Sequence, residues 1–215
     1  IKMEEVDFIS MPGITYKDNL NRTNEWLKHY WGHAPKITFA HHQIAHISSA
    51  FYQSGFDDAM CISYDAFGDK LSGASAIANL KDGIKLVDEK SYENSIGIFY
   101  KIMTSFLGFK DMDEYKVMGL AAYGNPTIDL SFICKPTSDG YFSNPSYFRE
   151  RKDASGLERH FSQKLIEKLG EPRLNSSEIT KHHMDLAAST QKTLEECATS
   201  LVTHLHKKTK KRKLC

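Results

Sequence analysis

Residues 36–107 alternate between strand-like and helix-like patterns, and this alternation restricts the possible folds more than any other feature of the sequence. Runs typical of strands occupy 36–40, 59–65, 74–80 and 84–90. The last two runs are joined by Asp82-Gly83, a strong hairpin signal. Between the first two, helical spacing predicts a helix that ends at Gly55. The sequence therefore predicts an α/β domain.

Further helices are predicted on both sides of this region. Helical periodicity marks 19–31, 95–107, 154–169 and 177–207. In the first of these, a buried stripe is expected from Leu20, Trp26, Leu27 and Tyr30. The helix over 95–107 is apolar almost all round, which predicts burial. A loop or edge segment is expected at 1–18, a turn at 66–73, and short strands and loops at 128–148.

The composition is that of an ordinary globular protein. Of the 215 residues, 40% are hydrophobic and 26% charged, and the formal net charge of +1 gives no reason to expect nucleic acid or a membrane as a partner. No apolar run reaches the ~18–20 residues of a membrane span. Four scattered cysteines without a C-x-x-C pair predict reduced thiols in a cytoplasmic protein. The basic run 207–213 is interpreted as a solvated helix terminus.

Two histidines and one carboxylate form the strongest chemical pattern. His42 and His46 are four residues apart, which places them on the same face of a helix. Asp65 follows at the end of the next predicted strand. Two imidazoles and a carboxylate suit zinc or ferrous iron. The alternative is a solvated or hydrogen-bonded histidine face without a metal.

Four blocks of the sequence, taken together, resemble the NodU-type O-carbamoyltransferases. They are HHQIAHISSAFYQSGFDDAMCISYDAFGD, SIGIFYKIMTSFLGF, EYKVMGLAAYGNP and HHMDLAASTQKTLEE. The likeness covers most of residues 36–206. It implies an actin-like ATPase (ASKHA-type) domain, similar to the transferase that makes threonylcarbamoyl-adenosine in tRNA and incomplete in this chain. The order of the predicted strands and hairpin at 59–90 is also similar to that of actin-like domains.

The resemblance also implies an activity and its cofactors. In the family, carbamoyl phosphate and ATP give a carbamoyl-adenylate, and the carbamoyl group passes to a substrate hydroxyl. His42, His46 and Asp65 match the family's metal ligands, and the metal is commonly iron. A further acidic ligand and a glycine-rich nucleotide segment are expected outside this chain. Gln43 stands where the family usually has a histidine, and His41 ranks below the predicted ligands.

Other residues carry two interpretations each. Asp69 is predicted to order a metal-bound water or to stabilise its own turn. Lys116 is predicted to face a phosphate, with Gly119 and Gly124 allowing close backbone approach by the nucleotide. The alternative is a structural Glu114–Lys116 pair with glycines chosen for packing.

Residues 1–215 are expected to form a single, partial N-terminal domain, with the carbamoyl-activating C-terminal domain outside the chain. The expected acceptor is a small molecule or glycan with a hydroxyl group, and a homodimer is one expected assembly. Two alternatives stay open. One is a tRNA threonylcarbamoyl-type transferase, and the other is a non-catalytic, metal-binding remnant.

Overall fold

A computed structural model describes residues 2–152 and 158–215. Its strands are β1 (Phe8–Pro12), β2 (Lys36–Ala40), β3 (Asp58–Gly68), β4 (Leu71–Asn79), β5 (Gly83–Ser91), β6 (Cys134–Thr137), β7 (Gly140–Ser143), β8 (Phe148–Lys152) and β9 (Glu158–Phe161). Its helices are α1 (Asn19–Trp31), α2 (His42–Phe51), α3 (Ile96–Phe106), α4 (Glu114–Ala121), α5 (Gln163–Leu169) and α6 (Lys181–Thr209). A mixed α/β fold is therefore confirmed. The described strands form several small sheets rather than one large one.

The central element is the antiparallel sheet β3-β4-β5, whose two faces pack against different helices. On one face, Ala59 and Cys61 of β3 pack with Ile47 and Phe51 of α2. Three alanines of β4 complete this small core and are fully or nearly fully buried, at Ala74, Ala76 and Ala78. Small side chains there allow α2 to lie close to the sheet, because a larger residue would fill the space between them.

The opposite face of the sheet borders the larger core. Ile62 and Ala66 of β3 pack against it, and its centre is α3, where Phe99 and Met103 are fully buried. Successive strand residues point to opposite faces, so β3 contributes odd-numbered side chains to α2 and even-numbered ones to the larger core. The predicted burial of the 95–107 helix is confirmed.

The chain's last residues extend the sheet beyond β3. Leu214 forms a parallel bridge with Met60, and the amide of Ile62 donates to the carbonyl of Cys215 at 2.8 Å. Strand β3 is therefore paired on both sides, as the prediction of a central strand requires. The Asp82-Gly83 hairpin is also confirmed between β4 and β5.

Three predictions of local structure are wrong. Leu27 is buried in α1, but Leu20, Trp26 and Tyr30 are 46%, 54% and 62% exposed. The reason is that α1 joins the two parallel strands β1 and β2, which form too small a sheet to cover a full apolar stripe. Residues 66–73 belong mostly to strands, with only a two-residue turn.

The helix predicted over 154–169 is also different. Residues 153–157 lie outside the described part of the chain, the next residues form β9, and only α5 is helical. Phe161 is a fully buried residue of β9 beside Phe106. The last helix begins at Lys181 rather than near Ser177. Within the described residues, no helix combines the length and apolarity needed to cross a membrane.

Candidate metal centre

The first two turns of α2 carry the predicted histidine ligands. The helix begins at His42, immediately after β2, and His41 is its N-cap. The Nδ1 atom of His41 accepts a hydrogen bond from the amide of Gln43 at 3.2 Å, so this imidazole stabilises the helix terminus. The two histidines lie one turn apart, and their rings are nearly perpendicular with centroids 4.6 Å apart.

Asp65 reaches this histidine pair from β3. Its Oδ2 atom lies 2.7 Å from Nε2 of His42 and 3.3 Å from Nε2 of His46, and the two Nε2 atoms are 3.0 Å apart. Donor atoms around zinc or iron at ~2.1 Å are separated by about 3.0–3.4 Å, so two sides of this triangle match a metal site, while the 2.7 Å contact between His42 and Asp65 has the length of a hydrogen bond. Two imidazoles and a carboxylate are a donor set that a divalent metal accepts.

The three side chains are neither buried nor fully exposed. The side chain of His42 is 25% exposed, that of Asp65 26%, and that of His46 52%. A metal held by these three groups would therefore keep positions open toward solvent, as catalytic sites do.

Gln43 orients the carboxylate, a role that sequence reasoning did not assign. This glutamine is fully buried, and its Nε2 atom donates to Oδ1 of Asp65 at 3.2 Å. Oδ2 is thereby left to face the histidines. The signal available in the sequence was a polar residue between two predicted ligands on a helix whose other face is apolar.

Gly68 makes room for the His42 ring. A Cβ atom built on Gly68 would lie 2.1 Å from Cγ of His42, a distance that no real side chain tolerates. The end of β3 and the His42 ring on α2 are therefore in direct contact. Any side chain at position 68 would push the imidazole of His42 away from Asp65.

Asp69 is bound by backbone and side-chain donors from two other segments. Its carboxylate accepts from the amides of Ile14, Thr15 and His42 at 3.2, 2.8 and 2.7 Å, and from the Thr15 hydroxyl at 2.8 Å. Burial alone would raise its pKa, but these four hydrogen bonds outweigh burial and lower the pKa to about 2. Each oxygen has two protein donors, so this carboxylate positions the start of α2.

The predicted nucleotide residues make contacts within the protein that differ from one residue to the next. Lys116 forms an ion pair with Asp113 at 2.9 Å, rather than the Glu114 pair considered above. This pairing raises the pKa of the Lys116 ammonium. A Cβ on Gly119 would meet nothing within 4 Å, whereas one on Gly124 would lie 2.0 Å from the carbonyl oxygen of Met184. Gly124, which follows the end of α4, therefore packs directly against the backbone of α6.

A cavity of about 540 Å³ lies on the other side of β3 from the metal-ligand triangle. Tyr64 and Ala66, the two neighbours of Asp65, line it, together with Glu114, Tyr115 and Met118 on one side of α4. Lys101 and Asp111 also line it and are paired at 3.1 Å. Asp111 is in turn 2.5 Å from Nε2 of the buried His160. Lysine and tyrosine side chains in a mainly apolar cavity are typical of a small-molecule site.

Together, these features define a mixed α/β domain with a candidate metal centre and an adjacent cavity. The sequence matches the family model described as Carbamoyltransferase N-terminus over residues 15–215. Nodulation protein NolO of Bradyrhizobium diazoefficiens is 32% identical over 182 residues, which cover 81% of this chain and 30% of NolO. Nodulation protein NolNO of Sinorhizobium fredii is 31% identical over 176 residues, or 79% of this chain and 23% of NolNO.

The same match extends beyond nodulation proteins. An uncharacterized protein of Synechocystis is 32% identical over 189 residues, which cover 84% of this chain and 30% of that protein. This chain belongs to the carbamoyltransferase N-terminal family. It spans less than a third of the length of these curated relatives.

Proposed function

We propose that this chain is the N-terminal, actin-like part of an O-carbamoyltransferase. The whole protein would move the carbamoyl group of carbamoyl phosphate, through an ATP-derived carbamoyl-adenylate, to a hydroxyl of a small-molecule or glycan acceptor. Family membership supports the transferase class. The observation that carries the proposal is the convergence of His42, His46 and Asp65, whose ligand atoms all lie within 4.8 Å of one another.

Ferrous iron is the metal we propose for this centre, held by Nε2 of both histidines and Oδ2 of Asp65. Two imidazoles and one carboxylate are ligands that iron(II) and zinc both accept. A divalent cation would act there as a Lewis acid that polarises a carbonyl oxygen. Gln43 would hold Asp65 in its ligating orientation, and Asp69 would hold the backbone of His42 through the 2.7 Å hydrogen bond.

The 540 Å³ cavity is the best place for the nucleotide part of the proposed reaction. Two facts support this assignment. Tyr64 and Ala66, which line the cavity, are the neighbours of Asp65 in the same strand, and Tyr115 and Lys101 supply the cavity with an aromatic ring and an ammonium group. The earlier prediction for Lys116, Gly119 and Gly124 stays a prediction, and Lys101 is the better cation for a ligand in this cavity.

The experiment that tests the metal centre is an anaerobic Fe(II) titration of this chain by calorimetry. We compare the unchanged chain with His46→Ala and with His29→Ala, which removes an exposed imidazole from α1. One-to-one binding that weakens at least about tenfold in His46→Ala and not in His29→Ala supports the proposal. Equal binding by all three, or none by the unchanged chain, contradicts it.

A further inference from the structure

The four cysteines, scattered in the sequence, lie in two close pairs in the structure. Cys134 of β6 and Cys197 of α6 have their Sγ atoms 3.7 Å apart, and both residues are fully buried. Cys61 of β3 and Cys215 form the second pair, and their side chains are joined by a hydrogen bond. All four are free thiols. Each pair therefore brings two oxidisable sulfur atoms together.

The backbone places Cys61 and Cys215 side by side. Leu214 forms a parallel bridge with Met60, so the next residue of each segment, Cys61 or Cys215, lies opposite the other. The amide of Cys215 donates to the carbonyl of Met60 at 2.9 Å, and the amide of Ile62 donates to the carbonyl of Cys215 at 2.8 Å. Neighbouring strands are ~4.7–4.9 Å apart, and the Cα atoms of bonded cysteines are usually about 4.4–6.8 Å apart. The register therefore satisfies the Cα spacing that a disulfide requires.

Both side chains of this second pair point into the same small core. Cys61 is fully buried there with Ile47 and Phe51 of α2, and Cys215 packs against the same core while partly exposed. The two sulfur atoms thus meet between β3 and residues 213–215, beneath the helix that carries the predicted histidine ligands.

Solvent access distinguishes the two pairs. Cys215 is partly exposed, whereas Cys61, Cys134 and Cys197 are fully buried. Burial, and to a smaller extent the neighbouring Cys215, raise the pKa of the Cys61 thiol to about 12, so this thiol is protonated at neutral pH and is a poor first nucleophile. The hydrogen bond with Cys197, followed by burial, raises the pKa of Cys134 in the same direction. Of the four thiols, Cys215 is therefore the one that an oxidant in solution meets first.

We propose that Cys61 and Cys215 are an oxidation site at which a small-molecule disulfide converts the two thiols into an intramolecular disulfide bond. The Cys215 thiolate attacks one sulfur of the oxidant and expels the other as a thiolate, which leaves a mixed disulfide on Cys215. The Cys61 sulfur then attacks Cys215 and expels the second half of the oxidant, which takes up the Cys61 proton. The two cysteines lose two electrons in total, and the oxidant is reduced to two thiols. The new bond fastens residues 213–215 to β3.

The test is incubation of the folded chain with oxidised glutathione at neutral pH. The reaction is quenched with acid, the remaining thiols are alkylated in denaturant, and the peptides are analysed by mass spectrometry without reduction. We expect peptides joined through Cys61 and Cys215, with Cys134 and Cys197 alkylated. Absence of the Cys61–Cys215 link would overturn the proposal, whether Cys215 stays free or retains glutathione. A Cys134–Cys197 link that forms at the same rate would also overturn it, because oxidation would then not follow solvent access.

Three alanine variants test the order of the two steps. Cys61→Ala removes the second thiol, so the reaction should stop at the mixed disulfide between glutathione and Cys215. Cys215→Ala, at a partly exposed position where folding is not at risk, should leave Cys61 unmodified. Glutathione on Cys61 in this variant, at the rate seen for Cys215 in the unchanged chain, would contradict the proposed order. Cys197→Ala is the matched control, because it removes a buried thiol of the other pair and should leave the yield of the Cys61–Cys215 disulfide unchanged within about twofold.

The disulfide should also stabilise the fold. It closes the loop from residue 61 to residue 215 and so restricts the unfolded chain, which should raise the Tm of the oxidised protein by ~5–15 °C. Reduction with dithiothreitol should reverse the shift, and Cys215→Ala treated in the same way should show none. An unchanged or lowered Tm in the oxidised chain would contradict a register that suits the bond. None of these measurements involves a metal or a carbamoyl donor, so they stand apart from the iron titration and from the proposed function.

Discussion

Replacement of Asp69 by asparagine should destabilise the protein in a pH-dependent manner. The carboxylate joins three segments, because it accepts hydrogen bonds from Ile14, Thr15 and His42. Its pKa falls from 3.8 to about 2 on folding, and this difference corresponds to about 2 kcal/mol of the free energy of unfolding. The Asp69→Asn variant should lose about that amount at pH 7, since an amide presents only one accepting oxygen to these donors.

The sign of the pH dependence follows from the lowered pKa. At pH values above the pKa of Asp69 in the unfolded chain, the ionised carboxylate contributes its full stabilisation. This contribution is lost as the pH falls from about 4 to about 2. The difference between the unchanged protein and Asp69→Asn should therefore shrink to about half at pH 3.

Urea unfolding followed by circular dichroism at pH 7 and pH 3 measures both quantities. Asp82→Asn is the matched control, because Asp82 lies in an exposed turn where Asn-Gly is equally favourable, so its effect should stay within about 0.5 kcal/mol. A loss below about 0.5 kcal/mol in Asp69→Asn, or a loss that does not change with pH, would refute the assignment of four stabilising hydrogen bonds to this carboxylate.

Two further substitutions test the site and the core. Gly68→Ala should weaken Fe(II) binding by about 10–100-fold, because its Cβ would displace the His42 ring, while Gly119→Ala, where nothing lies within 4 Å, should leave the metal affinity unchanged. Equal affinities in calorimetric titrations would show that the ring moves without cost. Phe99→Ala should lower the free energy of unfolding by about 3–5 kcal/mol, because Phe99 is fully buried in the larger core. A loss under about 1 kcal/mol in urea unfolding would contradict this packing.

The sequence was sufficient for elements whose pattern reflects a local rule. The helix that carries His42 and the Asp82-Gly83 hairpin follow from periodicity and turn chemistry, and the structure contains both. It was insufficient where a pattern depended on distant partners. The apolar positions of α1 have a correct helical period, but whether Trp26 is buried depends on what lies over the helix, which periodicity does not encode.

The same limit applies to the site. Spacing alone brought His42 and His46 together, but the orienting role of Gln43 and the contact of Gly68 with the His42 ring arise between elements that are distant in sequence. The Asp69 side chain was assigned to its own turn or to a metal-bound water. Its partners instead lie as many as 55 residues earlier in the chain. No local pattern in the sequence marks such contacts.

An irregularity in β3 explains how the end of one strand contributes residues to both the metal-ligand triangle and the cavity. Regular pairing with β4 stops at Tyr64 and resumes at Gly68, so Asp65 and its two successors leave the ladder. Carbonyl groups that leave the ladder need other hydrogen-bond donors. The Ser95 hydroxyl, which also caps α3, lies 3.0 Å from the carbonyl oxygen of Asp65 and 2.8 Å from that of Ala66.

Such bulges re-aim side chains next to functional sites. Here the bulge places the Asp65 carboxylate over α2, while its neighbours Tyr64 and Ala66 border the cavity on the other face. The Ser95 hydroxyl, at the start of α3, holds the backbone of the bulge through these carbonyls. Three consecutive residues of one strand therefore contribute to both the metal-ligand triangle and the cavity.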